Sequence, residues 1–241
     1  MAKIPDKPQD VFVDLTEDYR QVFGKDLVSL ILYGRAAGGH YVKGKSDINL
    51  LVVLTKEGIN RLEDSLAIVK QWKKNRVAVP LVMTKAFIES SLDCYPIEFL
   101  NMKNSHILIH GEDVLEQLKF KPEDLRLQIE KELKGKLVLL RQSYLESEGN
   151  SRQIKQLISR SVTAFISIFN ALIYLKQGSA QQKRRETIKE LAKLFTFDAN
   201  LFLTCVDIKE GVDKLSGEEI ARVFNKYLRE VENICNIVDC L

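Results

Sequence analysis

Near residue 120 the hydrophobic pattern of this chain changes its period, and that change limits what the chain can fold into. Upstream, short apolar runs alternate with stretches of helical spacing, whereas after Pro122 only helical spacing recurs. Leu27 to Tyr33 and Ile48 to Leu54 are rich in branched residues and bounded by glycine or polar turns, as strands buried on both faces should be. A glycine-bearing loop, Gly34 to Ser46, lies between them. From Glu57 to Lys74 the spacing of Ile59, Leu62, Leu66 and Val69 predicts a helix, and Arg76 to Met83 reads as another strand. Thr84 caps a short helix through Ser91. Pro96 to Met102 reads as a strand opened by its proline, and Ile107 to Ile109 as a short one closed by Gly111.

In the back half, Pro122 suits the first turn of a helix, and Leu125, Ile129, Leu133, Leu137, Leu140 and Tyr144 then recur at helical spacing up to Gly149 and Asn150. Ile154 to Lys176 is apolar nearly all round and belongs in the middle of a bundle. Ile220, Val223, Phe224, Tyr227, Leu228, Val231, Ile234, Cys235 and Val238 form a long amphipathic stripe that suits docking within the chain or a homodimer. The expected fold class is α+β: a mixed-sheet domain over 1–120 followed by an all-α helical bundle over 121–241.

Composition narrows the function classes. With 241 residues, 45% of them hydrophobic and 29% charged, the chain has room for a substantial core. Its net charge of +3 is far from the cationic balance of a protein that lives on nucleic-acid phosphates, so no nucleic-acid partner is expected. Basic and acidic residues balance up to residue 120, and neither half stands out as a basic arm. Cys94, Cys205, Cys235 and Cys240 form no CxxC pair and share no zinc-ligand spacing with His40, His106 and His110, so a reducing cytoplasm is expected. The polar start, Met1-Ala2-Lys3-Ile4-Pro5-Asp6, lacks the apolar core of a secretory signal. Ser161 to Leu175, the longest uncharged stretch, is shorter than the roughly 20 residues that span a bilayer, so no membrane partner is expected.

The segment that carries chemistry is Leu32-Tyr33-Gly34-Arg35-Ala36-Ala37-Gly38-Gly39, a variable loop, then Ser46-Asp47-Ile48-Asn49-Leu50. A buried strand that ends at a glycine lets the backbone approach a ligand closely and leaves the next amides free for phosphate. Asp47 and Asn49 are two apart on a strand, so both leave the same face. Oxygen ligands at that spacing suit a hard cation such as magnesium. Glu98, an isolated carboxylate in the apolar frame Pro96 to Leu100, is the candidate third ligand from a neighbouring strand. Buried alone, a carboxylate there costs about several kcal/mol, so it is paired, exposed or bound to metal.

This segment resembles the signature of the nucleotidyltransferase superfamily related to polymerase β and kanamycin nucleotidyltransferase: Gly-Ser-x-Ala-Arg-Gly, a loop, then Ser-Asp-x-Asp and an apolar run. Gly34, Ala37, Gly39, Ser46, Asp47 and the run after Asn49 match it. The all-helical tail is similar to the substrate-binding helical domains of small members. The resemblance implies that Gly34, Arg35, Gly39 and Ser46 hold the triphosphate, that Asp47, Asn49 and Glu98 hold Mg2+, and that Asp47 and Glu98 are the catalytic carboxylates. Three departures accompany it. Arg35 stands where the family has serine, Gly38 where it has arginine, and Asn49 where it has the second catalytic aspartate. Asn49 offers a neutral carbonyl and cannot bridge two cations as a carboxylate does. Arg35 compensates in part, because a guanidinium pairs directly with phosphate oxygens.

Two functions follow from the resemblance. One is transfer of a nucleotidyl group from a nucleoside triphosphate to a hydroxyl of a small-molecule or protein acceptor. The other is a degenerate member, a binding or regulatory protein, antitoxin-like in kind, acting through its helical domain. Plainer readings stand beside these. The Gly34 to Asn49 segment also fits an ordinary strand connection, and Glu98 an edge carboxylate or ion pair. His40, His106 and His110 suit the surface or a satisfied core, and Lys183-Arg184-Arg185 a solvated helix start. Arg160 is followed five residues later by Phe165, so the Arg-x4-His ribonuclease motif is absent from the tail. Phe165, Phe169 and Tyr174 are at core spacing.

Overall fold

The two branched apolar runs form the centre of a four-stranded mixed sheet. In the computed structural model, which describes residues 4–179, 181 and 183–241, β1 (Leu27–Tyr33) pairs antiparallel with both β2 (Asn49–Leu54) and β4 (His106–Gly111). β3 (Leu81–Met83) adds in parallel to β2, giving the order β3-β2-β1-β4. Met1 to Lys3 of the amino-terminal segment read above lie outside the described residues.

Both faces of the sheet are covered, which is why β1 and β2 read as nearly continuous apolar runs. Leu30, Leu32, Leu50, Val52 and Leu54 face α1 (Phe12–Phe23) and α3 (Leu66–Lys73), meeting Leu15, Tyr19, Phe23, Ile68 and Trp72. Ile31, Leu51 and Val53 face the other way, toward Ile88 of α4 (Lys85–Ser90), Phe99 and Met102 of α5 (Pro96–Asn104), and Val114, Leu115 and Leu118 beyond β4. Each such large side chain contributes about 1.5–3 kcal/mol when fully buried. A shift in register beside Ser29 leaves that buried hydroxyl to donate to the Glu112 carbonyl.

Three local expectations need correction, and one element was not expected. Pro96 to Met102 is the helix α5, not a strand: its buried Phe99, Leu100 and Met102 fit a helical face, and its proline occupies the first turn, where the missing donor costs nothing. The strand expected from Arg76 to Met83 shrinks to β3 and a single bridge between Ile48 and Val77, because Pro80 has no amide to give. The helix expected from Glu57 to Lys74 is divided into α2 (Lys56–Ile59), a tight turn at Leu62–Ser65, and α3. The sequence reading assigns no element to residues 12–23, where α1 forms.

The chain splits into two units, one of Met1–Asp93 with Glu98–Phe120 and the other of Cys94–Ile97 with Lys121–Leu241. In the second, α6 (Pro122–Glu146), α7 (Ser151–Gln177), α8 (Arg184–Leu194), α9 (Ala199–Glu210) and α10 (Gly217–Asp239) pack as a bundle. Asn150 accepts the amides of Arg152 and Gln153 at the start of α7, and Gly178, at φ 69°, ends it. Ser216 and Glu219 form a capping box for α10. The apolar stripe of α10 packs on α6 and α7, so intrachain contact uses the surface a homodimer would need. Phe165, Phe169, Phe202 and Tyr227 meet edge-on or tilted in this core.

Candidate functional site

The candidate site grows from the end of β1. Gly34 takes φ 77°, a left-handed conformation that an L side chain adopts at a cost of about 1–2 kcal/mol. Its carbonyl accepts the amides of Ala37 and Gly38 and, at 3.0 Å, the Ser105 hydroxyl. Its own amide donates to the Ser105 carbonyl at 2.9 Å. The turn is therefore gripped from the start of β4. A Cβ placed on Gly38 would lie 2.9 Å from Ser105 Oγ, so a side chain there would displace the Ser105 hydroxyl from the turn.

The loop then closes on itself. Gly39 is left-handed at φ 75°, and the His40 amide donates to the Arg35 carbonyl at 2.9 Å. Ser46, expected to touch phosphate, accepts the Val42 amide on its hydroxyl oxygen at 3.0 Å, which leaves its O–H to donate. Tyr41 donates to the Pro5 carbonyl at 2.9 Å and Lys43 pairs with Asp6, which ties the loop to the segment before α1. Arg35 is exposed and has no ion-pair partner among the described residues. As the first residues of the turn, Arg35 and Ala36 have no preceding carbonyl for their amides.

On β2, Asn49 sits opposite Tyr33 in the register, and its Nδ2 lies 3.6 Å from where a Gly34 Cβ would be. Asp47, just before the strand, is not open to a cation from all sides: Arg76 Nη2 lies 2.9 Å from its Oδ1. Arg76 is held there firmly. Its carbonyl accepts the Ile48 amide at 2.9 Å, its amide donates to the Lys73 carbonyl at 3.2 Å, and it keeps φ 62°, strained for a residue with a Cβ. Its Nε is buried and meets no acceptor, as does Asn104 Nδ2, one residue before Ser105.

Glu98 is exposed on the helix α5, and no strand carries it. The segment that runs beside β2, from Val77 to Met83, contains no carboxylate. Among the described residues no three Asp, Glu, His or Cys side chains gather as a metal site. The structure therefore brings Gly34, Arg35 and Asn49 to one end of the sheet beside Asp47, but does not supply the donors that two magnesium ions require. One carboxylate paired with arginine and one neutral amide do not fit that group.

The histidines divide. His40 is exposed. His106 places Nε2 2.9 Å from Asp113 and Nδ1 2.8 Å from the Lys103 carbonyl, a structural tie. Burial opposes ionisation of Asp113, but the His106 hydrogen bond and charge, with the Leu115 and Glu116 amides, hold its carboxyl below the usual value. In the basic cluster, Lys183 precedes α8 and pairs with Glu186, and Arg185 clasps Asp207 and Glu210 at 2.7 and 2.6 Å. A cavity of about 600 Å³ in the helical unit, lined by Pro122, Arg126, Leu127, Leu175 and Lys176 among others, contains none of the expected site residues. Sequence reasoning missed Arg76, Asn104 and Ser105, which no motif marks.

No family model matches the chain, and no curated protein matches it. Among solved structures the chain is similar to the spectinomycin adenyltransferase of Enterococcus faecialis, solved with ATP and spectinomycin. The identity is 12% and the TM-score 0.48, over 91% of this chain and 98% of that one.

Proposed function

We propose that this protein binds a nucleoside triphosphate at the Gly34 to Asn49 loop and does not transfer its nucleotidyl group, acting as a binding or regulatory member of the nucleotidyltransferase class. The observation that carries this reading is the pairing of Asp47 with Arg76 beside a segment that has no carboxylate. Phosphate recognition survives the loss of the metal donors, because the loop keeps its left-handed glycines and presents Arg35 without a competing acid. Transfer does not survive it. An attacking hydroxyl needs its proton affinity lowered, and one arginine-bound carboxylate and an amide are too few anionic donors to hold the two metal ions that would lower it.

Calorimetric titration with ATP, followed by incubation of the same sample with ATP and a panel of small hydroxylated acceptors, tests both halves. The expected result is saturable ATP binding with no release of pyrophosphate. Absence of ATP binding overturns the reading, and so does pyrophosphate release that depends on an acceptor.

A further inference from the structure

Building on that reading, we infer that the site takes its phosphate without a divalent cation, with the Arg76 guanidinium standing where a metal would stand. A metal ion at Asp47 would do two things: neutralise that carboxylate and offer positive charge to phosphate oxygens. Arg76 already does the first, at 2.9 Å from Asp47 Oδ1. It is built for the second. Its backbone is locked by the Ile48 and Lys73 hydrogen bonds in a left-handed conformation that lysine, glutamine or arginine adopts only under constraint, so its position is fixed by the fold.

Its unpaired donor suits an anion and not a cation. One guanidinium nitrogen is committed to Asp47, while the buried Nε has no acceptor, and buried polar groups of native proteins are nearly always paired. Asn104 Nδ2, the other buried atom without a partner, is also a donor, and it adjoins the Ser105 that grips Gly34. Both unpaired atoms are donors, which suits oxygen-rich anions and does not suit a cation. Arg35, Lys43, Lys45 and Arg76 outnumber Asp6 and Asp47 at the loop. The ligand class is a metal-free polyphosphate anion, carried by a nucleotide.

The test is calorimetry of the full chain with ATP, and separately with inorganic tripolyphosphate, in EDTA and in excess magnesium. Binding in EDTA at least as tight as in magnesium is expected. Arg76→Gln should weaken EDTA binding by about tenfold or more, as loss of a charge-assisted bond does. Arg76→Gly, which relieves the left-handed backbone and so keeps the fold, should weaken it equally. Asp47→Asn frees the guanidinium and should bind at least as tightly as the unaltered chain, whereas a metal ligand at that position would make the same change abolish binding. ATP binding that requires magnesium and is lost in Asp47→Asn overturns this inference while leaving nucleotide binding intact. No binding of ATP in either buffer overturns the reading on which it rests.

Discussion

Replacing Gly38 by alanine should change sign in its effect on stability according to what stands at residue 105. The backbone at Gly38 is not left-handed, so alanine fits its conformation and gains about 0.4–1 kcal/mol by restricting the unfolded chain. Against that, the new Cβ would lie 2.9 Å from Ser105 Oγ, while its next contacts, at 3.7 and 3.8 Å, are ordinary. Ser105 must swing away and give up its bond to the Gly34 carbonyl, which costs about 1 kcal/mol. Gly38→Ala alone is therefore neutral or destabilising. In a Ser105→Ala background the hydroxyl is already gone, and the same replacement should stabilise by about 0.4–1 kcal/mol. The double-mutant cycle gives a coupling of about 1 kcal/mol. Trp72, the one tryptophan in the chain, packs against the sheet, so urea unfolding followed by its fluorescence reports this unit alone. If Gly38→Ala has the same effect in both backgrounds, to within about 0.3 kcal/mol, the grip of Ser105 on the turn is not what the geometry implies.

Three further outcomes follow. Asp113 has a folded pKa below its unfolded one, so its contribution to stability is complete above about pH 4 and is lost as the pH falls through the folded value. Asp113→Asn should flatten the acid limb of the Trp72-monitored stability curve, and an unchanged limb would remove the His106 tie from the account. In the bundle, Ser161 Oγ meets the buried Tyr227 hydroxyl at 2.9 Å and also donates to the Leu157 carbonyl at 2.8 Å. Ser161→Ala strands the tyrosine hydroxyl and should cost about 1–3 kcal/mol, more than Tyr227→Phe, as read from urea unfolding by circular dichroism; the reverse order would refute the pairing. Gly111, at φ 85°, has the Val28 carbonyl 2.0 Å from where a Cβ would be. Gly111→Ala should lower the stability of the sheet unit by about 3 kcal/mol or more, combining backbone strain with the lost β1–β4 pairing, and a loss below about 1 kcal/mol would contradict that close approach.

What the sequence made legible follows from the length and purity of its patterns. Leu125 to Leu140 and Ile220 to Val238 repeat over several turns, and the helices α6 and α10 appear where those stripes run. β1 and β2 were legible because both faces are buried and the branched residues have no polar interruption. Pro96 to Met102 defeated the reading because seven residues are too few to separate a strand from a helical turn when both phases are apolar. At the site, the glycines and Asp47 stood out because they are close in sequence. Arg76 did not, because it lies 29 residues from Asp47 and is brought there by the Ile48–Val77 bridge, a contact that no local pattern announces. Glu98 was misplaced along with its helix.

The bond between Ser105 and Gly34 joins positions 71 residues apart. Closing so long a loop costs chain entropy before any contact rewards it, whereas the connection between β1 and β2, from Gly34 to Ile48, is far shorter and favours earlier pairing. During synthesis the hairpin can therefore assemble while the turn at Gly34 is still slack, and the turn takes its final shape only when β4 arrives. The Gly34 turn is thus a late feature of its own unit: a nascent chain stopped before Ser105 would carry most of the sheet and none of the grip that sets the turn.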